Sequence, residues 1–368
     1  MRTALGSGTA LNVRSPRDTV VDDGERMTAT KPMLAKSAED LPLGDGWRYE
    51  PKWDGFRAIV TRDADGVRID SRGDRPLGRY FPELVELLSG QPPATYVMDG
   101  EIVMIAGGIM DFETLQLRLH PAASRVNKLA GEIPSTLVAF DLLELDGRDV
   151  RPLDTDERRA ELEGLIERLG AELAPDSPGG LHPGPALILT PQTADVATAE
   201  RWFADVDGVG QDGIVAKRAE QRYVEGERVM VKVKHHRTAD CVVGGYRLER
   251  NGDGVGSLLL GLYDDEGRLQ YVGHTSAFKA KERRELRETL QPLVGGESFG
   301  EGRSPGGPSR WSGGRDTEWV TLRPELVCEV RYERLQAGRF RHSASILRWR
   351  TDRDPKSCTF DQLAIGPG

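Results

Sequence analysis

The sequence predicts an α+β fold in two parts: a domain of helices and antiparallel sheets, followed by a small all-β barrel. Three observations predict it. Short apolar runs with period-2 alternation recur through the first 234 residues, broken by Gly/Asp turns and two helical stretches. The pattern stops between Lys234 and Ala239, and beyond it short β-like runs follow at close spacing around a single amphipathic helix. A length of 368 residues with 38% apolar content suits two ordinary cores. The expected division is a tail over 1–27, domains over 28–236 and 237–358, and a C-terminal tail over 359–368.

Residues 1–27 show no sustained periodicity, and Met27 is an alternative start. Phe56 to Val60 and Val67 to Ser71 flank Asp63-Ala64-Asp65-Gly66, a turn signal that makes them a hairpin. Tyr96 to Val103 reads as a strand whose alternation puts Asp99 and Glu101 on one face, a poor pattern for a core. Leu137 to Leu145 is a further strand, with Phe140 by default a core aromatic. Asp154 to Leu169 is helical, with Leu162, Leu165, Ile166 and Leu169 at helix spacing and Asp154 with Glu157 as an N-terminal cap. Pro175 to Pro185 is loop, Thr193 to Ala204 is helix, and Asp212-Gly213 leads into a strand. In Val229 to Lys234, alternation sets Lys232 and Lys234 on one face. Past the boundary come runs at Cys241 to Arg247, Val255 to Tyr263, Leu269 to Val272, Trp319 to Thr321 and Leu326 to Arg331. A helix spans Lys279 to Leu293 and a loop Gly295 to Gly314, which together fit a closed barrel of the oligonucleotide-binding type.

No apolar run approaches the roughly 20 residues of a membrane span, and no signal-peptide stretch opens the chain, so a soluble, cytoplasmic protein is expected. Cys241, Cys328 and Cys358 form no CxxC pair, which argues against a disulfide framework or zinc site and for free thiols in the core. The net charge of −9 hides an asymmetry, since residues 331–356 carry 8 basic against 3 acidic side chains. That local basic element suits phosphate contacts.

The chemistry centres on Tyr49-Glu50-Pro51-Lys52-Trp53-Asp54-Gly55-Phe56-Arg57. The turn residues after Lys52 place its amine on a loop at the mouth of a strand. A lysine attacks as the free amine, a form favoured by a desolvated pocket or by neighbouring cations, and Lys232 and Lys234 supply the cations.

Lys52-x-Asp54-Gly55-x-Arg57, Ser71-Arg72-Gly73, Asp99-Gly100-Glu101, Phe140-Asp141, Asp212-Gly213-Ile214-Val215-Ala216-Lys217 and Lys232-x-Lys234 resemble, in order, the motifs of covalent nucleotidyltransferases. Among these the chain resembles ATP-dependent DNA ligases of the two-domain bacterial ligase C type, over roughly residues 30 to 360. The resemblance implies a nucleotidyltransferase (adenylation) domain followed by an oligonucleotide-binding-fold domain. It implies that ATP adenylates Lys52, that AMP passes to a 5′-phosphate at a nick, and that a 3′-hydroxyl displaces it.

By the same resemblance, Arg57, Arg72 and Glu101 hold the ribose or nick phosphate, Phe140 stacks on adenine and Glu50 accepts from its amino group. Lys232 and Lys234 hold the α-phosphate, while Glu101 and Asp212 position Mg²⁺ or Mn²⁺. Asp212 stands where the family usually has Glu, one methylene longer. The C-terminal motif, commonly Arg-x-Asp-Lys, appears as Arg350-Thr351-Asp352-Arg353, which keeps the charge but not the geometry. The implied partner is nicked duplex DNA, with DNA-repair proteins possible; the expected state is a monomer, nucleoid-associated when bound to DNA, with no membrane.

Competing readings are an RNA ligase or capping-type relative, or a nucleic-acid-binding module with a dead core. Glu50 as an acceptor favours ATP over GTP, and the intact Lys52, Glu101, Lys232 and Lys234 oppose a dead core. An NAD⁺-dependent ligase would carry a four-cysteine zinc module that this chain lacks.

Overall fold

A computed structural model describes residues 30–106, 108–173, 184–249, 254–299, 318–336 and 338–363, with the side chains of 172–173 and 206–209 excepted. Four strands open the fold: β1 (Leu34–Ala38), β2 (Trp47–Lys52), β3 (Phe56–Asp63) and β4 (Gly66–Ser71). Then come α1 (Pro82–Gly90), β5 (Tyr96–Val103), the short pair β6 (Ile105–Ala106) and β7 (Ile109–Met110), α2 (Phe112–Gln116) and α3 (Ala123–Glu132). β8 (Thr136–Leu145), β9 (Arg148–Asp149), α4 (Thr155–Arg168), β10 (Glu172–Leu173), β11 (Ala186–Leu189), α5 (Val196–Val209), β12 (Gly213–Arg218) and β13 (Arg228–Lys234) complete this half. The rest comprises β14 (Arg237–Leu248), β15 (Val255–Tyr263), β16 (Leu269–Thr275), α6 (Ala280–Leu290), β17 (Val320–Thr321), β18 (Val327–Tyr332), β19 (Leu335–Gln336), β20 (Arg339–Phe340) and β21 (Ser345–Trp349).

Two sheets build the first half, one in the order β1-β13-β12-β2 and one in the order β10-β11-β8-β5-β3-β4, with β9 against β8. Most pairings are antiparallel, as expected, but β1 runs parallel to β13, and β11 runs parallel to both β10 and β8. The hairpin β3–β4 turns at Asp63 and Gly66 as its residues dictate. The larger sheet carries α1 and α4 over a core of Val60, Phe81, Leu84, Met98, Leu142 and Leu165. α4 begins with the expected capping box: Glu157 N donates to Asp154 Oδ1 at 2.8 Å, and Asp154 N donates to Glu157 Oε2 at 3.0 Å. Such a cap stabilises a helix by about 1 kcal/mol. The smaller sheet packs its Ile214, Val231 and Val233 against Ala199 and Trp202 of α5.

A third sheet runs β16-β15-β14-β18-β21, with β17 on β14, and β19 and β20 pair with each other as a separate two-stranded ribbon. Here one expectation is corrected. Among the described residues the sheet is open, not a closed barrel: one parallel bridge between Thr275 and Ala344 joins its two ends, with no ladder. Thr275, Phe278 and Leu286 face Ile346 and Trp349 across a cavity of about 490 Å³, so the space beside β21 is flanked by α6 and not by a pairing strand. The helix expected over Lys279 to Leu293 is α6, which ends at Leu290. Cys241 sits directly opposite Cys328 across β14 and β18, and both share a core with Cys358. All three are free and buried. The loop expected over Pro175 to Pro185 falls largely outside the described residues, as do the tail 1–27 and most of Gly295 to Gly314.

Candidate active site

Lys52 is the last residue of β2, not a loop residue, and its pairing opposite Gly213 of β12 fixes where its amine emerges. The strand extends this far because β12 offers a partner. Asp212 N donates to Lys52 O at 3.0 Å and continues the register. Gly213 holds φ +137°, and a Cβ there would stand 2.0 Å from Val233 O, so only glycine lets β12 approach β13 this closely. Gly55 faces the same constraint in the next turn, where a Cβ would lie 2.0 Å from Ile102 O. The glycine of the Lys-x-Asp-Gly tetrapeptide thus presses the turn onto β5, and Gly55 N donates to Glu101 Oε1 at 3.1 Å.

Lys52 opens into a cavity of about 240 Å³ that Glu50, Arg57, Arg72, Glu101, Phe140 and Lys232 also line. Seven of the residues singled out from sequence therefore converge on one space. Lys234 and Asp212 join them through ion pairs: Asp212 Oδ2 lies 2.7 Å from Lys52 Nζ and 3.2 Å from Lys234 Nζ. The immediate neighbour of the nucleophile candidate is thus a carboxylate, not the cations expected from the sequence. Burial would raise the Asp212 pKa, but Lys52 and Lys234 outweigh it and hold the group at about 2. Burial pushes Glu101 the other way, up to about 7, against the pull of Lys52 and Arg57. Lys232 is lowered from its ordinary value, first by burial and then by Lys234 and Lys52.

Asp99 is fully buried, which the exposed-face pattern of its strand did not suggest. It is tolerated there because it is paired on every side. Arg57 Nε and Nη2 both donate to it at 2.5 Å, and Tyr223 Oη donates at 2.6 Å. Arg57 also stands 4.6 Å from the centroid of the Phe140 ring.

The third sheet reaches this site through the segment around the β19–β20 hairpin. Asp54 accepts from Arg334 Nη1 at 2.7 Å and from Arg341 Nη1 at 2.6 Å. Arg334 Nη2 also donates to Gly210 O and, at 2.8 Å, to Gln211 O. Glu333 Oε2 takes Lys234 Nζ at 2.6 Å. The C-terminal motif is elsewhere: Arg350 donates to both oxygens of Asp240 at 2.9 and 3.0 Å and to Asp352 at 2.9 Å, and Arg353 Nε lies 3.5 Å from Asp240. The structure does not bring Arg350, Asp352 or Arg353 to the cavity.

The model of the ATP dependent DNA ligase domain matches residues 32–234, and that of the ATP dependent DNA ligase C terminal region matches 251–353. The chain belongs to the ATP-dependent DNA ligase family. Within the family it is 48% identical to DNA ligase C2 of Mycolicibacterium smegmatis, over 91% of this chain and 94% of the relative. Its identity to DNA ligase C of Mycobacterium tuberculosis is 47%, over 92% and 94%. The bacterial ligase C type is therefore shown. A solved Lig E DNA ligase shares the fold at a TM-score of 0.54 and 20% identity, with 88% of this chain and all of that one covered.

Several residues of this family member escaped the sequence reading. Arg334 and Arg341 were counted only as part of a basic stretch, and nothing local marks them as partners of Asp54. Tyr223 gave no signal at all. Lys217 was read only as the end of a strand motif, although its place among apolar residues of a β-run predicts a buried side chain that must find counter-charges.

Proposed function

We propose that the chain seals 5′-phosphate/3′-hydroxyl nicks in duplex DNA through a lysyl-AMP at Lys52, using ATP. The observation that carries this reading is the Lys52 amine held by Asp212 at 2.7 Å at the edge of a cavity shared with Glu50, Phe140 and Lys232. Once its ammonium has given a proton to solvent, the Lys52 nitrogen attacks the α-phosphorus, forming a P–N bond as the P–O bond to pyrophosphate breaks and pyrophosphate leaves. A 5′-phosphate oxygen then displaces the lysine, and the 3′-hydroxyl finally displaces AMP. In each step charge builds on phosphate oxygens, and Lys232 and Lys234 are placed to counter it. Phe140 and Glu50 give the base a face to stack on and an acceptor for its amino group. Arg57 and Arg72 take the ribose or the nick phosphate.

Glu101, which lines the cavity with Lys52, and Asp212, which pairs with it, suit Mg²⁺ as hard oxygen donors. Among the described residues no group of three or more His, Cys, Asp or Glu side chains converges. The ion would accordingly take its remaining ligands from phosphate and water, as Mg²⁺ commonly does. When bound it neutralises phosphate charge. Residues 28–236 form the adenylation domain in this reading and 237–358 the oligonucleotide-binding-type domain. Because Arg350 and Arg353 do not line the Lys52 cavity, that domain must move for them to meet the departing pyrophosphate.

Incubation with α-labelled ATP or GTP and Mg²⁺, followed by denaturing electrophoresis, tests the reading. ATP should label the chain, GTP should not, and Lys52→Ala should abolish the label. Label on another lysine in that variant would sink the assignment. Sealing of a nicked DNA duplex faster than a nicked RNA duplex completes the test.

A further inference from the structure

Lys217 is 2% exposed, and a lysine so placed must be paired to be tolerated. Its Nζ lies 3.0 Å from Glu50 Oε2, donates to Phe140 O at 2.8 Å and lies 3.6 Å from Asp141 Oδ2. The same nitrogen stands 5.3 Å from the centroid of the Phe140 ring, within cation–π range. One side chain thus ties together the acid and the aromatic that line the cavity of Lys52. The other Glu50 oxygen accepts from Gln192 Nε2 at 2.7 Å, and Asp141 is matched by Arg158 at 2.7 Å. Glu50 is consequently anchored at both oxygens.

We infer that Lys217 is a positioning residue for base selection: by pairing with Glu50 beneath Phe140, it keeps that acid an obligate acceptor and so selects adenine over other purines. The inference rests on the ATP-dependent reading above. An ionised carboxylate only accepts hydrogen bonds. Adenine offers it an exocyclic N–H, guanine offers a carbonyl oxygen, and unsubstituted purine offers a C–H. Without Lys217 the Glu50 carboxylate keeps only its Gln192 contact and is no longer held at both oxygens. An acceptor that is free to turn away from the base edge discriminates less between an N–H, a C–H and a carbonyl oxygen, so loss of the lysine relaxes selection and does not merely weaken binding.

The experiment measures the rate of lysyl-nucleotide formation per unit nucleotide with ATP, GTP and purine riboside triphosphate. The wild type should favour ATP over the purine analogue on the order of 10- to 100-fold, the worth of one hydrogen bond to a charged acceptor. Lys217→Met should cut that ratio by about tenfold and raise the relative use of GTP. Glu50→Gln and the double variant E50Q/K217M complete a cycle in which the double variant's ratio should equal that of E50Q alone. The double variant leaves no unpaired buried charge, so it carries the test if K217M does not fold. Equal loss on all three nucleotides, or a double variant whose ratio departs from that of E50Q, overturns the inference. Absence of any lysyl-nucleotide in the wild type would instead defeat the proposed function.

Discussion

Replacing Arg334 or Arg341 by Ala should uncouple the two chemical halves of ligation. In the observed arrangement both guanidiniums converge on the Asp54 side chain, which is 9% exposed and two residues from Lys52. A hydrogen bond to a charged group contributes about 1.5–3 kcal/mol. Arg341 gives up one such bond and its position 3.7 Å over the Phe112 ring, while Arg334 gives up a bond to Asp54 and two to backbone carbonyls. Taking ~2 kcal/mol for Arg341, the docked arrangement loses about 30-fold in population, and more for Arg334. In this docked arrangement neither Arg350 nor Arg353 lines the Lys52 cavity, so docking is of no use to a step that must bring them to pyrophosphate. Single-turnover rates on ATP alone and on a nick already adenylated at its 5′-phosphate separate the cases. Both variants should seal the pre-adenylated nick at least tenfold more slowly and form lysyl-AMP at close to the wild-type rate. An equal defect on both substrates would refute the reasoning, because the contact would then serve the active site as a whole.

Arg350→Ala and Arg353→Ala should show the reverse pattern, losing lysyl-AMP formation while sealing the pre-adenylated nick. Lys232→Ala should fail on both, since α-phosphate charge needs countering throughout. If Glu101 binds Mg²⁺, its proton competes with the metal: with the group raised to about 7, the Mg²⁺ concentration for half-maximal rate should climb as pH falls below about 7 and level off above it. Glu101→Gln should flatten that profile, and an unchanged profile would remove Glu101 from the metal site. Asp212→Glu, which restores the usual residue, should lower the Mg²⁺ requirement, as read by titration at fixed pH. Affinity for nicked duplex should fall steeply with salt through counterion release at the basic 331–356 segment, a slope that salt-insensitive binding would contradict.

What this chain determines from its sequence alone is local. Alternation in Tyr96–Val103 and Arg228–Lys234, the Asp63 to Gly66 turn and the Asp154/Glu157 cap each depend on neighbours a few residues away, so the strands, hairpin and helix were legible. The family resemblance likewise named seven residues that line one cavity. Leu34–Ala38 was not legible, because it is a strand only through parallel pairing with a segment some 190 residues later. Ser345–Trp349 was missed because its mostly exposed side chains leave no alternation to read. Barrel closure failed for a related reason: strand count and spacing say nothing about whether the last strand meets the third. The partners of charge were decided only by the tertiary structure. Asp212 beside Lys52, Arg334 and Arg341 on Asp54, Lys217 under Glu50 and Tyr223 on Asp99 all join distant segments. Burial makes each charge demand a partner, but which one it finds is fixed by how the sheets stack.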